Sequence, residues 1–216
     1  MSVSSSILAR GPWERGQVEV AWREDPFEPQ PHETAAADTA LGALRDRGSP
    51  SHDGLAARLA GFTLHEGRLR LELQPARWAL RLLTDGAAGS LSALCIVRSA
   101  QGDWLAGRRA LWLASWAGRW ALGAGGAVEV GENPADTLAR ELEEEWSVQA
   151  TQLRVEALVR LASGAVLLVG QAWLAPGAQV VPDDEHDAFA WWPADVAAWP
   201  ADADEPLRRI GELLAT

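Results

Sequence analysis

The chain has no lysine, no tyrosine and a single cysteine, and no apolar run long enough to cross a membrane. Each absence excludes something. With only Cys95 available, no internal disulfide can form. The longest apolar stretch, AVLLVGQAWLA from Ala165, is interrupted by Gln171 and falls well short of the roughly 20 residues a spanning helix needs, so no membrane partner is expected. The first residues, MSVSSSILARGPWERG, show neither an apolar core of signal-peptide length nor a small-residue cleavage pattern, and a cytoplasmic protein is expected. All 19 basic side chains are arginine, set against 30 acidic ones for a net charge of -11. Without a basic tract or stripe, the chain lacks the surface that binds a nucleic-acid backbone by releasing counterions. A phosphate-bearing ligand would have to be met by individual arginines or by a metal ion.

What is present is an apolar fraction of 48% that includes 12 tryptophans. That is enough to bury one large domain, or one domain with a sizeable extension. The texture changes at LLTDGAAGS, Leu82 to Ser90. Residues 1–88, richer in proline, histidine and breaks, are expected to form an α+β region, and residues 89–216 a second domain. In the first region QVEVAW (Gln17 to Trp22) and GRLRLELQ (Gly67 to Gln74) read as strands, and the alanine-rich stretch from Glu33 to Arg45 as a helix. In the second, strands are expected at Leu91 to Ser99, around Ala121, at Leu153 to Leu161, Ala165 to Leu174 and Ala188 to Trp192. EPLRRIGELL (Glu205 to Leu214) reads as a closing helix.

One helix has a demanding charge pattern. In ENPADTLARELEEEWSV, Asn133 is suited to the N-cap and Pro134 to the first helical position, Asp136 follows at the third, and Leu138 and Leu142 repeat at helical spacing. At about 100° per residue, Glu141, Glu144 and Glu145 share one face while Glu143 points away. Like charges at that spacing repel, so the face is either simply solvated or completed by something positive. Arg140 flanks it and could hold a carboxylate in place. Mg²⁺ suits such oxygen donors, because it keeps several waters and is shared between carboxylates and substrate phosphates; Mn²⁺ is a second choice.

The same residues match a known signature. Gly126, Glu132, Arg140, Glu141, Leu142, Glu144, Glu145 and Val148 stand in the register of the Nudix box, and only Ser147 departs from it, where the box has glycine. The chain therefore resembles the Nudix hydrolases. The resemblance implies an α/β fold, an α/β/α sandwich around a mixed sheet, preceded here by a small α+β extension. It implies metal-dependent hydrolysis of the diphosphate bond in a nucleoside diphosphate linked to another moiety. Carried over by position, Glu141, Glu144 and Glu145 would be metal ligands, with Glu144 and Glu145 also counted as catalytic. The Gly126 carbonyl would add an oxygen, and Glu132 would brace the loop or reach a metal through water. Ser147 puts the exit turn of the helix in question more than metal binding.

The N-terminal half, from about residue 15 to 83, also resembles the region preceding the Nudix domain in UDP-sugar-hydrolysing relatives. Pro50, Asp53, Gly54, Arg58, Leu59 and the strand pair that follows carry this likeness. It implies a UDP-sugar as first substrate to try, with ADP-ribose or an ADP-sugar next and nucleoside triphosphates as a further alternative. A Nudix-fold module that binds a nucleotide metabolite without cleaving it is the non-enzymatic reading. The sequence admits a homodimer.

Individual side chains carry two readings each. The loop DDEHD, Asp183 to Asp187, is either solvated or the source of a general base, Glu185 or His186. Arg108 and Arg109 are a solvated pair or phosphate contacts, with Arg109 the substrate-binding candidate. Trp112, Trp116 and Trp120 are core residues or stacking surfaces for a base or sugar, with Trp120 the candidate. Cys95 in an apolar strand reads as a buried small residue, and His32, His52 and His65 lack metal-ligand spacing.

Overall fold

The computed structural model describes residues 5–50 and 53–215, so His52 lies outside the described residues. In chain order the elements are β1 (Ser6–Trp13), β2 (Val18–Trp22), α1 (Pro31–Asp46), β3 (Leu55–His65), β4 (Arg68–Arg77) and a 3-10 turn at Trp78–Leu82. Then follow β5 (Leu91–Arg98), β6 (Trp104–Arg109), β7 (Trp120–Leu122), β8 (Ala124–Ala127), α2 (Pro134–Trp146), β9 (Gln152–Arg160), β10 (Val166–Trp173), β11 (His186–Trp192) and α3 (Glu205–Leu214). The larger sheet is mixed and 8-stranded, in the order β1-β9-β10-β5-β6-β11, with β7 on β6 and β8 on β5. Only β10 and β5 run parallel within it.

Strand alternation sets the layers of this sheet. Leu91, Ala93, Cys95 and Val97 point to one side of β5 and pack with Leu138, Leu142 and Trp146 of α2. Ile96 points to the other side, into a cluster with Trp104, Trp192, Trp199 and Leu207 of α3. The tryptophans there interlock, with ring centroids 5.4 Å apart for Trp104 and Trp199 and 5.2 Å for Trp192 and Trp199. The result is the α/β/α sandwich that the sequence leads one to expect. Leu138 and Leu142 are fully buried, and each contributes roughly 1.5–3 kcal/mol of apolar transfer free energy to seating α2.

A smaller sheet, β2-β4-β3, lies against the same core. Leu69, Leu71 and Leu73 on β4 enter the α2-side cluster, while α1 packs Ala37 and Leu41 against Ala79 and Leu80 of the 3-10 turn. Two backbone bonds tie β3 to the larger unit: Ala57 N–H donates to Val128 O and Leu59 N–H to Gly89 O, both at 2.8 Å. Strand β1 goes further and pairs antiparallel with β9 in the larger sheet.

Two local conformations position the acidic helix. Gly123 has φ +65°, and a Cβ there would lie 1.8 Å from the Cys95 carbonyl oxygen. Only glycine lets the chain leave β6 as β7 and cross to β5 as β8 at that approach. At the far end of α2, Ser147 takes the left-handed conformation, φ 52° and ψ 37°, that a helix-terminating glycine would adopt without strain. The helix thus ends where the box predicts, with serine carrying the cost.

Candidate active site

Asn133 starts α2 by accepting a hydrogen bond from Ala135 N–H at 3.0 Å, and its amide nitrogen donates to the Val18 carbonyl at 2.9 Å. From that start, helical phase decides which glutamates turn inward. Glu141 and Glu145 are buried, at 8% and 3% exposure, whereas Glu143 and Glu144 are exposed. The face expected to gather three carboxylates therefore buries two of them, and Glu144 lies at its open edge.

The two buried carboxylates face the glycine strand β8. Glu145 Oε1 accepts from Gly125 N–H at 2.8 Å, and its Oε2 is buried without a hydrogen-bond partner. The Glu141 carboxylate presses on Gly126, where a Cβ would come within 2.3 Å of Oε1 and 2.5 Å of Oε2. The requirement at Gly126 is thus space for a carboxylate. Arg140 braces the outside of the cluster: its guanidinium donates to Glu132 at 2.9 and 3.2 Å and to Glu144 at 2.9 Å, reaches the Ala127 carbonyl at 3.2 Å, and pairs with Glu141 at 2.8 Å. Glu132 also accepts from Glu129 N–H at 3.1 Å, which locks the loop that precedes the helix.

Strand alternation sorts the remaining candidates. On β6, Gly107 faces His186 and Trp146, so Arg109 shares that side and lies 3.4 Å from Glu185. Arg108 points to the other side and pairs with Asp187. Trp120 sits opposite Arg108 and packs against Trp192 at 5.6 Å, in the cluster covered by α3. The structure does not bring Trp120 to the carboxylates, because its position in the strand turns it to the opposite face. Trp116 is exposed with Arg119 over its ring at 4.8 Å, and Trp112 is half-buried in the same loop.

Of the two residues proposed from the acidic loop, Glu185 keeps a half-buried carboxylate beside Arg109, while His186 lies behind Glu145. The His186 side chain is 1% exposed, its Nε2 is 3.6 Å from Glu145 Oε2, and its ring stacks on Trp146 at 4.4 Å. Cys95 is fully buried, and burial pushes its thiol up to about 12, which leaves it inert at neutral pH. His65 is exposed next to Glu66, and His32, at the start of α1, is exposed as well.

The electrostatics of the cluster follow from burial. Burial raises the Glu141 carboxyl to about 7 even though Arg140 works in the other direction. Burial likewise holds Glu145 well above the ordinary carboxylate range, against the Gly125 N–H, and raises Glu185 against Arg109. His186 is pushed down, again mainly by burial. A set of acids made expensive to ionise, one with an orphaned buried oxygen, is a set that a cation would stabilise.

The donors fit a hard divalent ion: they are carboxylate oxygens, crowded and underpaired. Among the described residues, no three His, Cys, Asp or Glu groups are gathered closely enough to hold a metal by themselves.

One residue next to the cluster has no motif to announce it. Arg81, on the 3-10 turn after β4, donates to Ser92 Oγ at 2.6 Å and lies 5.5 Å from the Trp78 ring. Its charge is coupled to those of Glu141, Arg109 and Glu185. The only trace in the sequence is one arginine inside the otherwise apolar WALRLL.

A family model described as the NUDIX domain matches residues 90–214. No curated protein matches the chain. Among solved structures, the chain is similar to a MutT protein from Methanosarcina mazei Go1, at 23% identity over 57% of this chain and 90% of that one, with a TM-score of 0.43. It is similar to a MutT NUDIX hydrolase from Burkholderia pseudomallei, at 22% identity over 58% and 97%, with a TM-score of 0.48. It is also similar to the NUDIX domain of Shewanella oneidensis NrtR complexed with ADP ribose, at 22% identity over 59% and 88%, with a TM-score of 0.46. Among the described residues no helix is long and apolar enough to cross a membrane.

Proposed function

The chain belongs to the NUDIX domain family as a Nudix hydrolase, and on that premise we propose that it cleaves the diphosphate of a nucleoside diphosphate joined to a second moiety, a UDP-sugar first. The observation that carries this reading is the pair of buried carboxylates, Glu141 and Glu145, pressed against Gly125 and Gly126 with one oxygen unpartnered. Glu141 and Glu145 would hold a divalent cation, Mg²⁺ in the first instance, with Glu144 at the open edge and the Gly126 carbonyl as a further oxygen. When bound, such an ion polarises phosphoryl oxygens and makes water more acidic.

The chain's own groups account for the remaining steps. Arg140 and Glu132 fix the loop and helix against each other, so that Glu141 keeps its place when the site is charged. Arg109 binds a phosphate oxygen and, in doing so, loosens its 3.4 Å contact with Glu185. Glu185, raised by burial, takes the proton from the attacking water. Water adds to phosphorus, the bridging P–O bond breaks, and two phosphomonoesters leave, UMP and a sugar 1-phosphate for a UDP-sugar. The UDP-sugar choice is supported by the N-terminal likeness through Asp53 and Arg58. Asp53 accepts from Ala79 N–H at 3.1 Å, and Arg58 donates to the Ala88 carbonyl at 2.8 Å, so both support the segment that borders the site.

The test is a comparison of kcat/KM for UDP-glucose, ADP-ribose, ADP-glucose and the nucleoside triphosphates, with Mg²⁺ and then with excess chelator. Turnover of a diphosphate-linked sugar that disappears in chelator is expected. Preference for triphosphates would defeat the substrate class, and binding without turnover of any compound would defeat the enzymatic reading.

A further inference from the structure

Arg81 is half-buried and uses few of its donors. A guanidinium carries five N–H donors. Arg208 spends its donors on the carbonyls of Val196, Trp199, Pro200 and Ala203, and Arg98 donates twice to Gly102. At the site, Arg140 pairs with three carboxylates and Arg109 with Glu185. Arg81 makes one hydrogen bond to a neutral hydroxyl, and among the described residues it forms no ion pair. Its remaining donors have no protein acceptor among the described residues, and a ligand anion would give them one.

Its position is fixed from both sides. Asp53 pairs with Arg77 and accepts from Ala79 N–H, which pins the turn that carries Arg81. Ser92, which receives Arg81, is paired across the sheet with Ala127, the neighbour of Gly126 and its carboxylate. The guanidinium therefore sits at the border of the acidic cluster, delivered by the N-terminal segment and held by β5, the strand that pairs with the glycine strand β8.

We infer that Arg81 is a phosphate-binding residue of the substrate site, so that the N-terminal segment supplies half of the anion-binding machinery and Arg109 the other half. The inference rests on the diphosphatase reading only in naming the anion. Arg81 is a substrate-binding residue: it holds a phosphoryl oxygen and takes no part in proton transfer. A planar fork that can donate two parallel bonds fits a phosphate better than an ammonium would.

The experiment measures binding to the full chain by calorimetry, using inorganic pyrophosphate with Mg²⁺ and in chelator, and Mg²⁺ alone, for the native protein, R81Q and R81K. Loss of one charge-assisted contact predicts pyrophosphate affinity weakened roughly tenfold or more in R81Q and only partly restored in R81K. Mg²⁺ affinity should be unchanged or tighter in R81Q, because a positive neighbour of Glu141 has gone. Three results would overturn the inference: no pyrophosphate binding by the native protein in either condition, R81Q within twofold of native, or R81Q weakened for Mg²⁺ as well, which would mark a structural role. If no nucleotide derivative is turned over but R81Q selectively loses pyrophosphate, the anion site stands and the diphosphatase reading falls.

Discussion

Replacing Glu141 by glutamine should make the metal-free protein more stable while removing its activity. Glu141 is 8% exposed, and burial lifts its carboxyl from 4.5 to about 7. A carboxyl with a raised folded pKa binds more protons in the native state than in the unfolded one between those values. Its contribution is complete below about pH 4.5 and is lost as pH rises through about 7. A shift of that size corresponds to roughly 3–3.5 kcal/mol, at 1.36 kcal/mol per unit. Glutamine keeps the shape against Gly126 but never ionises, and Arg140 retains Glu132 and Glu144 as partners. In chelator at pH 8, E141Q should therefore melt roughly 5–10 °C above the native protein, and near pH 4.5 the gap should close. Urea denaturation at both pH values gives the free energies directly. Adding Mg²⁺ should raise the melting temperature of the native protein far more than that of the variant. If E141Q were less stable than native at pH 8, or the gap did not change with pH, the account of Glu141 as a buried acid waiting for a cation would be wrong.

Three further outcomes are expected. E145Q should lower kcat about a hundredfold or more with the fold intact, while E143Q, at an exposed carboxylate that accepts from Gln149 at 3.5 Å, should leave kcat unchanged; steady-state kinetics with circular dichroism on both variants checks this. G126A should behave as an active-site lesion, because its Cβ would fall 2.3 Å from a Glu141 oxygen, and both Mg²⁺ affinity and kcat should drop by an order of magnitude or more in calorimetry and turnover assays. S147G should raise stability by roughly 1 kcal/mol without changing kcat, since Ser147 holds φ at 52°; an unchanged or lower denaturation midpoint would contradict the reading of that turn.

Legibility in the sequence depended on whether a residue's role is local. Asn133, Pro134 and Asp136 announce the start of α2 because capping is settled within one turn. The closing helix falls at Glu205–Leu214, as its periodicity suggests. Strand β1 gives no such signal: SILARGPW does not alternate cleanly, and its partner β9 lies more than a hundred residues away. The sequence AGGA of β8 has poor strand propensity and becomes a strand only through its register with β5. For Trp120 the residue type suggested stacking on a ligand, but only the strand phase, visible once β6 and β7 are paired, shows which face it takes. Arg81 was the least legible, because one arginine in an apolar run gives no hint of the Glu141 and Glu185 charges that the fold brings near it.

The two hydrogen bonds of Asn133 have a consequence for how the molecule comes apart. One side chain caps α2 and also grips the backbone of β2, so melting the small sheet would uncap the acidic helix at the same moment. With β1 also laced to β9, exchange-resistant amides in α2, β4 and β9 should open together in native-state hydrogen exchange, as one cooperative unit. A fragment beginning near residue 89 would lose an edge strand of its sheet and the anchor of its Asn133 cap. It should not inherit the stability of the whole, and the pieces of this enzyme are thus not interchangeable parts.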